Sequence, residues 1–399
     1  MAVPAPESVL RLAARSDAMQ PFLAMEILER AGELERQGAR IAHLEVGEPG
    51  FAAPEAAVRE TIRALEAGET GYTDSRGLWP LREAIAAEIH GRLGTEVDPG
   101  RILVTQGTSS AMTLVFGALV GPGDEVVIPT PHYPCYPNFV RFCGGEPVFV
   151  PTSAADGWHL DPDRVRAAIT PRTRAIVVGS PANPTGAVQP RAVLEALAEL
   201  GPPLVADEIY AGLVYGGTPA TSALELGRDV FVLDGVSKRY AMTGFRLGWV
   251  IAPRAGLRAL QVMQQNLFIS ANPFVQRAGI AALEQGAGMA EAMRQACEER
   301  RARLVSGLRR LGFGIERDPE GAFYVLADCR RFGADSRALA FEILEQAHVG
   351  TTPGIDFGQA AEGHLRFCYA VRAQTIDTAL ARLGPLLARL ETRTVEASS

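Results

Sequence analysis

Residues 230–252 of the 399-residue chain carry two short apolar runs around a polar loop, VFVLDGVSKRYAMTGFRLGWVIA. From about residue 100 onward, similar runs alternate with helical patterns such as Arg191–Leu200. Because buried strands that alternate with helices form a sheet covered on both faces, we predict a mostly parallel α/β sheet. The predicted strands are Ile102–Thr105, Glu125–Pro129, Pro147–Val150, Ala175–Gly179, Leu204–Asp207, Val230–Asp234 and Leu247–Ala252.

The hydrophobic pattern changes beyond Asn272. Residues Gln276–Leu311 have the pattern of a long helical stretch with Arg and Glu on its polar face. A strand, a helix, a strand and a terminal helix are predicted to follow, at Ala322–Ala327, Arg337–Ala347, His364–Ala370 and Ala373–Leu390. We therefore predict three parts: an N-terminal arm at 1–45 that completes part of a small domain, a large domain at 46–285, and a small α+β domain at 286–399.

Composition excludes several classes of protein. Hydrophobic residues make up 47% of the chain and charged residues 21%, which is typical of globular proteins and excludes wholesale disorder. The net charge of −7 gives no support for nucleic-acid binding. The five cysteines are odd in number and irregularly spaced, which is typical of reduced thiols in a cytoplasmic protein. Paired metal-ligand spacing is absent from the six histidines, so we expect no metal site.

Two segments bear on export and membrane insertion. The segment from Met1 to Asp17 contains charged residues and no apolar stretch, so we expect no signal peptide. The longest uncharged run, Ile102 to Gly123, approaches membrane-spanning length but contains polar and helix-breaking residues such as Gln106 and Pro122. We predict a strand, a polar turn and a buried helix there, and no membrane association.

The chain has a single lysine, Lys238, among its 39 basic residues. Arginine can replace lysine as an exposed positive charge, but it cannot lose its proton near pH 7 and add to a carbonyl. Lys238 is therefore either a chance survivor on the surface or an amine that the chemistry requires. The neighbouring residues must decide between these alternatives.

Polar residues follow three of the predicted strands, at the edge where open α/β sheets bind ligands. Residues 106–110, Gln-Gly-Thr-Ser-Ser, open a helix and could bind phosphate, although an ordinary N-cap is the commoner explanation. The Asn183-Pro184-Thr185-Gly186 segment is a turn that also offers an amide donor. Asp207 could cap a helix or pair with a cationic ring nitrogen.

A fourth strand end carries Ser237 to Arg246 and thus the only lysine. Its place beside the other polar strand ends favours a chemical role for Lys238 over a solvated one. A phosphate-binding turn, the Asp207 carboxylate, the Tyr210 phenol, Lys238 and a late arginine together match the needs of pyridoxal phosphate, an electron sink that the protein must orient.

Further motifs run through nearly the whole chain, from Gly47-Glu48-Pro49 to the last helix. They are Gly71-Tyr72-Thr73 with Gly77-Leu78 and Leu81-Arg82, Asn183-Pro184-Thr185-Gly186, Asp207-Glu208-Ile209-Tyr210, Ser237-Lys238 through Gly244-Phe245-Arg246-Leu247-Gly248, Pro353-Gly354, Phe357-Gly358 and Leu365-Arg366. On these motifs the chain resembles the class I/II, fold type I aminotransferases of the aspartate aminotransferase superfamily, which depend on pyridoxal phosphate. The resemblance implies a large domain whose mostly parallel sheet is sandwiched by helices, and a smaller α+β domain.

The resemblance implies catalytic roles for three residues. Lys238 would form a Schiff base with the cofactor and later shuttle a proton. Asp207 would keep the pyridine nitrogen protonated, and Tyr210 would hydrogen-bond the phenolic oxygen of the ring. Other cofactor contacts would come from residues at the phosphate, at the phenolic oxygen and on the ring face: Thr108, Ser109, Ser237 and Arg246; Asn183; and Tyr133, which is alternatively a core aromatic.

The same resemblance implies how a substrate is held. Arg366 and Asn183 would bind its α-carboxylate, and Gly47 would let a backbone N–H approach it. Tyr72 would reach into the site of a neighbouring subunit, which implies a homodimer with shared active sites. The side-chain pocket is expected to be lined by Phe22, Met25, His132 and residues around Asn272 of either subunit.

Two positions depart from the family pattern. Ser109 stands where some bacterial aspartate-specific members carry a lysine, which weakens an aspartate assignment without excluding it. His132 is either a pocket residue or a hydrogen-bonded structural histidine.

Three functions remain open at this point. The first is an aminotransferase that moves an amino group from an L-amino acid to 2-oxoglutarate or pyruvate by a ping-pong mechanism. The second is a carbon–sulfur β-lyase or a related elimination enzyme on the same fold. The third is a ligand-sensing regulator, which would need a DNA-binding module; the roughly 45 residues before Gly47 are too short and insufficiently basic for one.

Overall fold

The computed structural model describes residues 11–217 and 220–398, so the first ten residues of the predicted arm lie outside the described residues. Its helices are α1 Ala14–Ala18, α2 Leu23–Arg36, α3 Glu55–Glu66, α4 Trp79–Leu93, α5 Thr108–Leu119, α6 Cys135–Phe142, α7 Pro162–Ala168, α8 Arg191–Ala198, α9 Val236–Arg239, α10 Arg254–Leu267, α11 Pro273–Gln285, α12 Ala287–Arg310, α13 Ser336–Ala347 and α14 Ala373–Ser398. Its strands are β1 Ala42–His43, β2 Ile102–Thr105, β3 Glu125–Thr130, β4 Glu146–Pro151, β5 Thr173–Gly179, β6 Leu204–Asp207, β7 Phe231–Gly235, β8 Gly248–Ile251, β9 Tyr324–Asp328, β10 Val349–Gly350, β11 Thr352–Pro353 and β12 His364–Cys368.

The seven strands predicted from the apolar runs all form one sheet, in the order β2-β8-β7-β6-β5-β3-β4. Strand β8 is antiparallel to both of its neighbours, β2 and β7. All other neighbours pair in parallel: β7 with β6, β6 with β5, β5 with β3 and β3 with β4. The prediction of a mostly parallel sheet is therefore confirmed. The parallel register places the carboxyl ends of β5, β6 and β7 along one edge, with Gly179 opposite Asp207.

Alternate residues of these strands enter two separate hydrophobic cores, because successive side chains of a strand point to opposite faces. In β6, Leu204 and Ala206 belong to one core, whereas Val205 belongs to the other. Residues of α4, α7, α8 and α11 fill the first core, and residues of α5, α6 and α10 fill the second. Helices thus cover both faces, as the sandwich prediction requires.

A third core joins the beginning and the end of the described chain. It combines apolar residues of α2, such as Ile27, with residues of α12, α13 and α14. A three-stranded antiparallel sheet in the order β11-β12-β9 contributes to it, and β1 pairs in parallel with β10. This core brings the N-terminal segment beside the last hundred residues, while the exact domain boundaries stay a prediction.

The helical stretch predicted over Gln276–Leu311 is present, but it is divided into two helices. Helices α11 and α12 are separated at Gly286. A Cβ added at Gly286 would lie 2.9 Å from Cδ1 of Tyr240, so the backbone passes directly against this buried ring. The interruption is set by packing between residues distant in sequence, which the helical periodicity does not record.

The uncharged run at 102–123 forms β2, a turn and α5, as predicted. Its helix is buried through residues such as Leu114 and Phe116. Among the described helices, none combines the length and the apolar composition needed to cross a bilayer.

Candidate active site

A cavity of about 220 Å³ opens at the carboxyl ends of β5, β6 and β7. Eleven of the twelve residues predicted for the site line it: Gly47, Thr108, Ser109, Tyr133, Asn183, Asp207, Tyr210, Ser237, Lys238, Arg246 and Arg366. Side chains from the two sheets and from the N-terminal segment therefore meet in one place, as the resemblance implied.

Lys238 lies on the short helix α9, directly after β7. Its Nζ donates a hydrogen bond of 2.6 Å to the carbonyl oxygen of Gly47. Burial lowers the pKa of Lys238 to about 8, and the guanidinium groups of Arg366 and Arg246 act in the same direction. A fraction of the amine is therefore unprotonated near neutral pH, as a nucleophile or base must be.

Asp207 ends β6 with its carboxylate buried. Its Oδ2 accepts a hydrogen bond of 2.8 Å from the hydroxyl of Tyr136, and its Oδ1 accepts one of 3.3 Å from the N–H of Ile209. Burial raises the pKa of Asp207, whereas both hydrogen bonds oppose that shift. Within the described residues Asp207 forms no ion pair, so a cation bound beside it would stabilise its charged form.

The start of α5 and Arg246 form an anion-binding corner. Gly107 precedes the helix with φ of +80°, and a Cβ there would lie 2.7 Å from Nη2 of Arg246. The missing side chain therefore lets the guanidinium approach the free N–H groups at the helix start, where Thr108 and Ser109 add hydroxyls. No ion pair of Arg246 occurs in the described part of the chain.

Arg366 is buried on β12 and faces the cavity from the opposite side. Its Nη1 donates a hydrogen bond of 3.0 Å to Oδ1 of Asn183, and its Nη2 donates a hydrogen bond to the carbonyl oxygen of Glu45. The guanidinium carbon lies 4.3 Å from the centroid of the Tyr324 ring. Among the described residues, the buried Nε has no hydrogen-bond partner, which is costly unless a ligand supplies an acceptor.

Two tyrosines of the site were missed by sequence reasoning. Tyr136 holds Asp207, and Tyr324 forms a hydroxyl–hydroxyl hydrogen bond of 2.9 Å with Tyr210. Tyr136 could have been noticed because it lies three residues after Tyr133, on the following helix. Tyr324 lies in a buried strand, where nothing local distinguishes it from a core aromatic.

Tyr72 is the one predicted site residue outside this cavity. Tyr72 is 84% exposed. The N–H of the next residue, Thr73, donates a hydrogen bond of 3.3 Å to Oγ of Ser270. The carbonyl oxygen of Ser270 in turn accepts a hydrogen bond of 2.8 Å from Nε2 of Gln106, at the anion-binding turn. Tyr72 thus projects from the surface close to the phosphate corner of its own chain without entering it.

The expected side-chain pocket is partly corrected. Phe22 and Met25 line the cavity, but His132 and the Asn272 of the same chain do not. His132 is buried in a stack on Phe149, with ring centroids 5.2 Å apart, and burial lowers its pKa to about 4. The structure therefore favours the structural alternative for His132.

The chain is similar to known proteins over nearly its whole length. The family model for aminotransferase class I and II matches residues 39–383. A probable aspartate/prephenate aminotransferase of Thermus aquaticus is 40% identical over 386 residues, which cover 94% of this chain and 99% of that protein. The aspartate/prephenate aminotransferase of Thermus thermophilus is 40% identical over 385 residues, covering 95% and 99%.

A solved structure agrees with this similarity. The aspartate aminotransferase of Thermus thermophilus with maleate matches with a TM-score of 0.90 and 39% identity, and the match covers 94% of this chain and 100% of that one. The fold and the site thus define a fold type I transferase. The chain belongs to the class I and II aminotransferase family, whose members imply pyridoxal phosphate as cofactor.

Proposed function

We propose that the protein is a pyridoxal-phosphate aminotransferase that moves an amino group from an L-amino acid to 2-oxoglutarate or pyruvate in ping-pong order. The observation that carries this proposal is the position of the only lysine. Lys238 lies buried in a cavity with its pKa lowered to about 8, between an unpaired carboxylate and two guanidinium groups.

The cavity fits pyridoxal phosphate at both ends of the cofactor. Asp207 is a buried carboxylate without a basic partner in the described chain, which suits a protonated ring nitrogen. Arg246 approaches the start of α5 only because residue 107 is a glycine, and this corner suits a phosphate. When bound, pyridoxal phosphate supplies an electron-withdrawing ring that stabilises negative charge at the α-carbon of the substrate.

Different residues of the cavity bind the cofactor and the substrate. Thr108, Ser109, Ser237 and Arg246 hold the phosphate, while Tyr210, Asn183 and Tyr133 orient the ring. Arg366 binds the α-carboxylate of the substrate, because no acceptor in the described part of the chain meets its buried Nε and a guanidinium can pair with a carboxylate through two parallel hydrogen bonds. Gly47 stands between the two corners and allows close approach of the substrate.

Lys238 holds the cofactor and then acts on the substrate. With the cofactor bound, the neutral Nζ of Lys238 would accept the proton from the α-carbon of the substrate, which requires a pKa near the working pH. Its contact with Gly47 keeps the amine at the substrate side of the cavity. General acid–base catalysis of this kind contributes ~10²–10⁴-fold, so Lys238→Ala should lose nearly all turnover.

We also propose a homodimer with shared active sites. Exposed large hydrophobic side chains occupy two segments near Tyr72, residues 58–79 and 262–269. Nε2 of Gln265 donates a hydrogen bond of 3.3 Å to Oγ of Ser75, so the two segments are adjacent. A second copy would cover this apolar surface and place Tyr72 in the opposite site. The exposed residues are Val58, Ile62, Leu65, Trp79, Val262, Leu267 and Ile269.

Complementation tests the shared site. Mixed dimers of Tyr72→Ala and Lys238→Ala contain one site with both native residues, so unfolding and refolding the mixture should restore roughly a quarter of the wild-type activity. Each variant refolded alone is the control. Light scattering that finds an active monomer would contradict the dimer.

Half-reactions test the chemistry. A donor amino acid alone should convert the bound cofactor to its amine form, and addition of 2-oxoglutarate or pyruvate should restore the original spectrum. A β-lyase would instead release ammonia and pyruvate from the donor. Initial rates that give intersecting rather than parallel double-reciprocal lines would reject the ping-pong order.

Covalent labelling tests the lysine. Borohydride reduction should fix the cofactor to the peptide that contains Lys238 and block cleavage by a lysine-specific protease, which has no other site in the chain. Label found elsewhere, or cleavage at Lys238 after reduction, would reject its role.

A further inference from the structure

One wall of the cavity is apolar. Phe22, Ala24 and Met25 of the N-terminal segment line it together with Val46 and Tyr133. The ring of Phe22 meets Tyr133 edge to face, with centroids 6.1 Å apart, and Tyr133 meets Tyr136 in the same way at 5.4 Å. A continuous aromatic contact thus leads from helix α2 to the tyrosine that holds Asp207.

The apolar wall adjoins the place where Arg366 holds a carboxylate. Helix α2 is anchored by Asp356, whose Oδ1 accepts a hydrogen bond of 2.9 Å from the N–H of Leu23. The next residue, Phe357, lies with its ring centroid 5.0 Å from the guanidinium carbon of Arg366. A substituent close to the bound carboxylate therefore meets the start of α2.

Val46 continues this wall between the two cationic corners. The carbonyl oxygens of Glu45 and Gly47, on either side of Val46, accept hydrogen bonds from Arg366 and Lys238 respectively. A substrate that spans from Arg366 to Lys238 consequently lies along residue 46. The side chain of such a substrate then has apolar neighbours on this face of the cavity.

The charges that line the cavity are all used by the proposed function. Among the described lining residues the cations are Lys238, Arg246 and Arg366, and the only carboxylate is Asp207. Lys238 reacts, Arg246 meets the phosphate and Arg366 meets the α-carboxylate. Among the described residues of one chain that line the cavity, no cation remains for a second carboxylate on the substrate, so only the neighbouring subunit of the proposed dimer could supply one.

We propose that the site takes monocarboxylic amino acids with apolar side chains as donors, and a monocarboxylic 2-oxo acid such as pyruvate as acceptor. This inference rests on the proposed function and narrows it. It separates the chain from relatives such as the aspartate/prephenate aminotransferase of Thermus thermophilus, because an aspartate side chain would bring an unpaired charge to an apolar wall.

Steady-state comparison of donors is the first test. An unpaired carboxylate costs enough that kcat/KM for aspartate and glutamate should be about 10²-fold below that for leucine, methionine or phenylalanine. Pyruvate should exceed 2-oxoglutarate as acceptor. Preference for either dicarboxylic substrate overturns this inference and leaves the proposed function intact, whereas failure of every donor to convert the cofactor rejects the proposed function itself.

Binding of unreactive analogues is the second test and does not depend on turnover. Calorimetry on the cofactor-loaded protein should find 3-phenylpropanoate bound about 10²-fold more tightly than succinate, since the first acid has one carboxylate and an apolar end. Equal affinities, or tighter binding of succinate, overturn the inference.

A charge placed on the wall gives the third test. Met25 is half-exposed at the edge of the cavity, so Met25→Arg offers a cation to a second carboxylate and should increase the affinity for succinate at least about tenfold. Met19→Arg makes the same change at an exposed methionine outside the cavity and should leave the affinity for succinate unchanged. Equal succinate affinity in the two variants overturns the assignment of this wall to the side chain.

Discussion

The Nζ of Lys238 lies 2.6 Å from the carbonyl oxygen of Gly47, a residue 191 positions earlier in the chain. Two residues before Gly47, the carbonyl oxygen of Glu45 accepts a hydrogen bond from Arg366. One short backbone segment therefore fixes the separation between the amine and the guanidinium group. Because Lys238 follows the large sheet and Arg366 lies in the small one, this segment couples the geometry of both.

The buried amine predicts an unusual dependence of stability on pH. Its pKa is about 8 in the folded protein against 10.5 normally, so the unfolded chain binds more protons between these values. Lys238 thus destabilises the cofactor-free protein at pH 7, by up to about 3 kcal/mol relative to Lys238→Met, and this difference should vanish as the pH rises from 8 to 10.5.

Urea unfolding of the cofactor-free proteins across this pH range measures the difference. Lys238→Arg is the matched control, since its charge persists and its destabilisation should not change with pH. A wild-type-minus-Lys238→Met difference that is constant from pH 7 to 10 would show that the amine is not buried.

Tyr136→Phe should weaken cofactor binding by roughly 10- to 100-fold, because it removes the hydrogen bond that keeps Asp207 charged while retaining the ring. Fluorescence titration with pyridoxal phosphate measures the affinity. Tyr215→Phe also removes a buried hydroxyl, one that donates to the carbonyl oxygen of Ala322 outside the cavity, and should bind normally. Equal losses in both variants would point to general destabilisation.

Gly47→Ala should strongly impair substrate binding. The added Cβ would lie 2.0 Å from Oη of Tyr324, so either residue must move and the contact with Lys238 changes. Gly91→Ala is the control, because the added Cβ would have no other described residue within 4 Å outside its own helix backbone, and it should be neutral or stabilising by up to about 1 kcal/mol. Partial recovery of KM in Gly47→Ala/Tyr324→Phe would identify the hydroxyl as the obstacle; a normal single variant contradicts the prediction.

Asp356→Ala should loosen the start of α2 and raise KM more than it lowers kcat. The carboxylate accepts hydrogen bonds from the N–H groups of Leu23 and Ala24, and loss of such a cap costs about 1 kcal/mol. Hydrogen exchange at these two amides should accelerate roughly fivefold. Asp335→Ala, which removes the cap of α13 instead, should leave α2 and KM unchanged.

Features set by neighbouring residues in the sequence were predictable. Strands Ile102–Thr105 and Leu204–Asp207 have the predicted boundaries, because each is a fully buried apolar run that ends in a turn or polar residue. The resemblance likewise selected the residues that line the cavity. The domain boundaries, the individual roles of the site residues and the cytoplasmic location stay predictions.

Features that depend on distant contacts could not be predicted from the sequence. The interruption at Gly286 arises from the approach of the Tyr240 ring, and the stack of His132 on Phe149 withdraws that histidine from the cavity. Tyr324 enters the site through its contact with Tyr210, 114 residues away. No local pattern encodes such contacts, since the partners are unrelated in sequence position.

By itself, the sequence determined the α/β architecture, the family and the amine on which the chemistry depends, because periodicity and motif spacing are properties of short segments. The tertiary structure decided which charges have partners. Within the described residues, the fold buries Arg366 and Asp207 without an ion-pair partner, and the N-terminal segment adds apolar side chains to the remaining wall. That balance of paired and unpaired charge is what selects a substrate.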